Sequence, residues 1–226
     1  MAFTGFSKAS LAFLSELGDH NNKDWFEAHR AAWDEDLIPA MLALCEELTC
    51  RLRPLMPHLS FVPRVGGSLQ RLNRDIRFSR DKRPYKTHAA ALLWEGAEKQ
   101  NSPAVYVQIS PAEVIFGGGL YEFEEGQLDR YRKLCAQERS GERLGEALAI
   151  AKQAGMDVDG AKLARVPRGV SPDHPRAELL KHKGLYVGRA QKPGAWLYTA
   201  EVLDRAEAAA TAYAPLHAWL RDEVCK

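Results

Sequence analysis

Arginine recurs at positions 71, 74, 77, 80 and 83, Lys86 continues the step of three, and Lys82 lies between them. The segment RLNRDIRFSRDKRPYK from Arg71 to Lys86 thus holds seven cations against Asp75 and Asp81. It carries +5 in a chain whose formal net charge is +1, which leaves the remaining residues at −4. Positive charge concentrated in this way repels itself unless an anion answers it. Arginine offers a planar five-donor fork and lysine a point charge, the two usual means of holding carboxylate and phosphate oxygens. The candidate ligand-binding residues here are Arg71, Arg74, Arg77, Lys82, Tyr85 and Lys86. Asp75 and Asp81 would orient the guanidinium groups, and Phe78 and Tyr85 would pack beneath them or offer a ring face. A period of three suits neither a flat strand nor one helical stripe, so the segment should be a loop or irregular arm. Three uses of it stand open. The leading one is a site for a small anionic or phosphorylated ligand. The second is a nucleic-acid contact on a phosphate backbone, and the third is a structural or partner-binding element in which Arg74 pairs with Asp75 or Asp81 and Phe78 anchors the loop.

A second polar set lies near the amino terminus. On a helix, Asn22, Trp25 and His29 fall at i, i+3 and i+7 and share a face, which would point into one cleft with the basic arm. Trp25 joins the ligand-binding candidates on that ground. His29 titrates near neutrality in its unperturbed state, and with Asp75 and Tyr85 it completes the candidates for proton transfer. Plainer roles are open too: a histidine among aromatics can be a hydrogen-bonded structural residue, and Asn21-Asn22 reads equally well as an N-cap pair. A third group gathers Arg168, Asp173, His174 and Lys181 around Gly169. Arg168 is the ligand-binding candidate there, while Asp173 is placed to cap a helix that begins near Pro175.

Other chemistries lack their residue patterns. The histidines show no H-x-x-x-H or H-E-x-x-H spacing, and the cysteines at 45, 50, 135 and 225 form no C-x-x-C pair, so neither a metal nor a cofactor is expected. Gly117-Gly118-Gly119 lacks the Lys-Ser/Thr of a phosphate-binding P-loop and reads as a bulge or a tight strand exit.

The elements that must position these groups follow from periodicity. Ser7 caps a helix from Lys8 to Leu17 that Gly18 should stop, Asn21-Asn22 restarts helix, and a break near Pro39 precedes a further helical run to Pro57. Four runs rich in Val, Ile and aromatics, 60–65, 88–94, 104–110 and 113–118, read as strands. The links between the last three are too short for helical crossovers, which makes the sheet mainly antiparallel. Helices are expected at 124–139, 142–154 and 175–182, a strand or hairpin at 185–198, and a long C-terminal helix at 200–224 bent at Pro215. Helices, then strands, then helices describe an α+β fold: one domain over residues 1–226, with a central sheet flanked by helices from both ends of the chain.

Bulk properties narrow the setting. Balanced charge, 31 cations against 30 acids, argues against a surface wholly devoted to nucleic acid or anionic membrane, so any such contact must be local. The longest apolar run, Ala89 to Trp94, is far too short to span a bilayer, and MAFTGFSK lacks the order of a signal peptide, so a cytoplasmic protein without a membrane partner is expected.

The motif Arg71-x-x-Arg74-Asp75-x-Arg77-Phe78-x-x-Asp81-Lys82-x-x-Tyr85-Lys86 resembles the signature of a bacterial family, domain-of-unknown-function family 2461. Asn21-Asn22-x-x-Trp25-Phe26-x-x-His29-Arg30 is similar to its N-terminal block, and Pro167-Arg168-Gly169, Asp173-His174-Pro175 and Leu179-Leu180-Lys181 to its C-terminal block. The resemblance covers nearly the whole chain and implies a single-domain unit with no assigned activity.

Overall fold

Ser7 accepts a hydrogen bond from the Ser10 N–H at 2.9 Å and starts helix α1 (Lys8–Asp19) in the computed structural model, which describes residues 2–96, 98–160 and 162–226. Gly18 does not end that helix. The chain stays helical through Asp19 and turns at His20, because no positive φ occurs at Gly18 to divert it. Asn22 caps α2 (Lys23–Ala28), and a wide π-type turn (Ala32–Leu37) runs into α3 (Ile38–Leu52). Pro39 sits in the first turn of α3, where its missing N–H costs nothing, so the break anticipated near Pro39 is instead the overwide turn before it.

Six strands form one antiparallel sheet: β1 (Leu59–Ser60), β2 (Ala89–Glu95), β3 (Ala104–Ile109), β4 (Val114–Leu120), β5 (Asp157–Asp159) and β6 (Leu185–Gln191), in the order β1-β2-β3-β4-β6-β5. The strand expected at 60–65 shrinks to two residues. Past it the chain loops back, and Ser68 to Gln70 lie along the same edge of β2, with the Leu92 N–H bonded to Ser68 C=O (2.9 Å) and the Gln70 N–H to Ala90 C=O (2.8 Å). Strand β5 is too short and too polar to show a period of its own, and it exists because β6 offers it an open edge. The triple glycine lies inside β4 in unbroken register with β3 and β6, so it is neither a bulge nor a strand exit.

Between β4 and β6 the chain forms α4 (Glu125–Ala136), α5 (Glu138–Gln153) and the four-residue α6 (Ala177–Leu180); α7 (Glu201–Trp219) and a final π-type turn (Leu220–Val224) close the fold. Helix α7 runs on through Pro215. Helices α3 and α7 pack against one face of the sheet. That face presents Ala89, Ala91 and Leu93 from β2, Val105, Val107 and Ile109 from β3, and Val114, Phe116 and Leu120 from β4, all buried. Gly118 belongs to the same face, and a Cβ there would stand 2.3 Å from the Tyr213 ring of α7, so the missing side chain sets how closely helix and sheet approach.

One charged group sits within this apolar layer. Glu95, 1% exposed at the end of β2, receives His217 Nδ1 of α7 at 3.0 Å, Arg221 Nη1 at 3.0 Å and the His58 backbone N–H at 3.2 Å. Burial pushes its carboxyl upward, but the His217 bond and charge, the His58 N–H and the Arg221 charge together outweigh this and hold it below the ordinary value. A depressed folded-state pKa stabilises the fold above the unfolded-state value and loses that contribution as pH falls through the folded one. Acid unfolding followed by circular dichroism should therefore show a stability loss beginning below about pH 4.5. Glu95→Gln should remove much of that dependence and lower stability at neutral pH by about 3 kcal/mol, since it leaves Arg221 and His217 facing a neutral partner in a buried site.

Candidate functional site

The basic segment is an excursion from the edge of the sheet. It leaves after Gln70, folds back on itself and returns to β2, closed at its base by the Arg74 N–H on Pro84 C=O (2.8 Å), the Lys86 N–H on Leu72 C=O (2.8 Å) and the bridge between Asn73 and Tyr85. As its period of three required, it forms no regular element beyond that bridge. The Asn21 side chain clamps it onto the N-terminal helices: its amide donates to Tyr85 C=O and accepts from the Tyr85 N–H, both at 3.0 Å. The Tyr85 ring then rests 4.5 Å from that of Phe26.

This docking creates a cleft of about 630 Å³ between α2 and the arm. Lys23, Phe26, Glu27 and Arg30 line it from the helix, at i, i+3, i+4 and i+7, with Trp33 and Asp34 continuing the stripe. Arg71, Leu72, Asn73, Pro84 and Tyr85 face them from the arm. Arg30 is committed: it holds Glu27 through two bonds of 2.9 Å, lies 3.7 Å from Asp34 and covers the Phe26 ring at 5.1 Å. Among the described residues neither Lys23 nor Arg71 has a carboxylate within ion-pair distance, and no hydrogen bond takes up the Tyr85 hydroxyl. Burial of Tyr85, with Glu27 nearby, raises its pKa against the opposing pull of Arg30, so its hydroxyl stays protonated and can donate.

The N-terminal and arm blocks therefore meet, but through a neighbouring stripe of the helix. Trp25 and His29 turn away from the cleft: their rings stack at 4.0 Å, Trp25 also stacks on Phe13 and His20, both at 5.8 Å, and His29 Nδ1 lies 2.8 Å from Trp25 C=O. Each residue advances about 100° around a helix, so choosing 22, 25 and 29 over 23, 26, 27 and 30 moves the face by one step. The signal for the second stripe was present in Lys23, Glu27 and Arg30, whose charges fall at i, i+4 and i+7.

The cations of the arm do not converge. Arg74 Nη1 binds Asp81 at 2.8 Å and Arg83 C=O at 3.0 Å, Arg83 also holds Asp81, and Arg77 holds Asp75 through bonds of 2.7 to 3.2 Å. Lys82 reaches Ile76 C=O and Lys86 reaches Gln70 Oε1, each at 3.0 Å. Phe78 lies under one guanidinium, with Arg77 over its ring at 5.9 Å, but at 95% exposed it does not anchor the loop. Arg168 is exposed in the loop before α6 and does not line this cleft. Asp173 does not cap α6. His174 Nδ1 accepts from the Arg176 N–H at 3.0 Å instead, and the Arg176 guanidinium caps the carbonyl end of α4 at Cys135 (2.6 Å), Ala136 and Gln137 (both 3.2 Å). Among the described residues no three His, Cys, Asp or Glu side chains are grouped to hold a metal, and no helix is long and apolar enough to cross a membrane.

The two arm carboxylates differ in what they hold. Asp75 serves Arg77 alone, on an exposed loop. Asp81 joins Arg83 to Arg74, and those bonds hold its carboxyl far below the usual range. Asp81→Asn should speed proteolytic cleavage within residues 74–83 severalfold, whereas Asp75→Asn should leave both the cleavage rate and the melting temperature unchanged; limited proteolysis of the two variants in parallel checks this.

Comparison with known proteins agrees with the resemblance carried by the motifs. The model of the family described as conserved hypothetical protein (DUF2461) matches residues 9–219. A search of curated proteins finds no match. With the family match spanning nearly the whole chain, this protein belongs to the DUF2461 family.

Proposed function

We propose that the protein binds a small organic anion, a carboxylate or phosphate ester, in the cleft between α2 and the arm. The observation that carries this reading is the pairing pattern. Of the arm's other arginines, 74, 77 and 83 are matched to Asp75 and Asp81 and Arg80 is exposed outside the cleft, while Arg71 and Lys23 line a concave site with no carboxylate of their own. A fork and a point charge suit an oxyanion, and the Tyr85 hydroxyl in the same cleft, near Glu27 and Arg30, adds a donor. Phe26, Trp33 and Leu72 supply an apolar floor for the rest of the ligand. Glu27 and Asp34 narrow the choice to a ligand of modest charge, because a polyanion would meet both carboxylates.

The reading favours binding over turnover. Of the three proton-transfer candidates, His29 lies outside the cleft, Asp75 is held by Arg77, and Tyr85, kept protonated, can donate but cannot serve as the base. The four cysteines are free thiols, which supports a reducing, cytoplasmic setting. Thermal-shift titration with inorganic phosphate, glycerol 3-phosphate and succinate should raise the melting temperature for at least one of them. Arg71→Ala and Lys23→Ala should each weaken that ligand about tenfold or more, and Arg77→Ala should not. Equal loss in all three variants would point to a diffuse charge effect and overturn the reading.

A second reading has its own observation. Phe78 stands uncovered at the far end of the arm among exposed Arg77, Arg80, Lys82 and Arg83, an arrangement suited to stacking on a base while cations track phosphates. Fluorescence anisotropy with single-stranded DNA and RNA across a salt series separates the two. The small-anion reading expects weak binding with a shallow slope. Tight binding that loses about 0.7 log units per phosphate contact for each decade of salt, and falls in Phe78→Ala, would give the arm to nucleic acid.

A further inference from the structure

The face of the sheet away from α3 and α7 holds a second and larger cleft, of about 990 Å³. It has a rim as well as a floor, built by Gly66 and Gln70 beside β2 and, at the end of the sheet where β3 begins and β4 ends, by residues 99–101 and 121–124. Its floor crosses the central strands, where the register sets Tyr106 of β3 beside Gly117 of β4 and Gly117 beside Gly188 of β6; one step along, Gly119 faces Tyr186. Glycine is required at 119, where φ is +134° and a Cβ would stand 2.4 Å from Leu185 C=O. Together the glycines leave a trough without side chains, running between tyrosines.

The charges of this cleft differ from those beside α2. Among the described residues its one cation is Lys99, which binds Gly67 C=O and lies 5.8 Å from the Trp94 ring, while Glu122 is exposed and Glu124 caps α4. An anionic ligand would find one ammonium, already donating to a backbone carbonyl, against two carboxylates. The remaining polar side chains are uncharged, and hydrogen bonds fix three of them, Tyr106, Gln108 and Gln70. The Tyr106 hydroxyl donates to Gln108 Oε1 at 2.7 Å, and Lys86 donates to Gln70 Oε1 at 3.0 Å, which leaves both amide NH₂ groups free to donate. Burial pushes the Tyr106 hydroxyl up to about 12, so it stays neutral. At the mouth, Tyr121 stacks on Tyr186 at 5.7 Å and remains 76% exposed, with its outer ring face open. The backbone groups of these central strands are consumed in the ladder, so a peptide adding as a strand would have to use the outer edges at β1 and β5.

We infer that the open face of the sheet is a second binding site, independent of the cleft beside α2, for a neutral polyhydroxylated ligand, a short oligosaccharide. Hydroxyl groups both donate and accept, which matches the Gln70 and Gln108 amide donors and the Glu122 acceptor, and the apolar face of a sugar ring lies flat on a tyrosine or a glycine floor. The volume suits a ligand of a few rings.

The test is titration of the full chain with cellotriose, maltotriose and chitotriose at up to about 10 mM, enough to register a Kd of about 1 mM, read by isothermal calorimetry and protein NMR. At least one should bind. Tyr121→Ala, at an exposed position, should weaken it about threefold to tenfold, and Tyr106→Phe should also weaken it. Arg71→Ala, in the other cleft, should leave it unchanged. Binding of none of the three by folded protein, equal binding by Tyr121→Ala and Tyr106→Phe, or loss of binding in Arg71→Ala would each overturn the inference. None of these outcomes bears on whether an anion binds beside α2.

Discussion

Helices cover this antiparallel sheet on one face only, and most of the molecule follows from that constraint. Strand residues alternate between the faces, so the covered side takes the apolar set that α3 and α7 bury, while the other side must take residues that tolerate water. Gly118 lets Tyr213 press onto β4 from the covered side. Its neighbours Gly117 and Gly119 point the opposite way and leave the open side hollow. One run of three glycines thus serves close packing on one face and a cleft on the other. Glu95 ties the arrangement together at the end of β2, since a single buried carboxylate collects bonds from α7, from the C-terminal turn and from the backbone that leads into β1. It would be costly without all of them, and this makes the placement of α7 on the sheet specific as well as favourable.

The same edge of β2 gives rise to the arm. Ser68 to Gln70 pair with β2, the chain then departs at Arg71, and Lys86 brings it back with its ammonium on Gln70. The arm's excess charge is managed by distribution. Asp81 gathers Arg74 and Arg83, Asp75 takes Arg77, and Arg80 and Lys82 face solvent. Arg71, at the root of the arm, is left to face α2. Surface pairs of this kind contribute little to global stability, so their effect is local: they keep a glycine-free loop in one shape and hold Phe78 at its exposed tip. Both clefts border the stretch from Gln70 to Arg71, with Gln70 lining one and Arg71 the other.

Much of this was legible from residue order alone. The caps at Ser7 and Asn22, strands β2 to β4 with their antiparallel sense, helices α4, α5 and α7, and the irregular character of the arm all follow from local pattern, turn length and capping chemistry, because each depends on residues close in the chain. The encounter between the N-terminal block and the arm was also anticipated, from two polar blocks that both interrupt apolar patterning. Some local readings failed where the tertiary setting outvoted them: Gly18 stayed helical, the run at 60–65 kept only two residues of strand, and β5 formed only because β6 had an edge to fill.

What the sequence by itself determined, then, is the set of elements and the excess charge carried from Arg71 to Lys86. Which charges are free was decided by the tertiary structure, for a physical reason. Pairing depends on distances set when the arm folds back, and Arg71 and Arg74, alike in type and spacing, end with opposite roles because only Arg74 comes within 2.8 Å of Asp81. The helix face that meets the arm was likewise fixed by Asn21 clamping Tyr85 across 64 positions of chain, a contact that no periodicity within α2 encodes. The open cleft on the sheet depends on glycines from two strands standing side by side, and only the pairing of β4 with β6 brings those together.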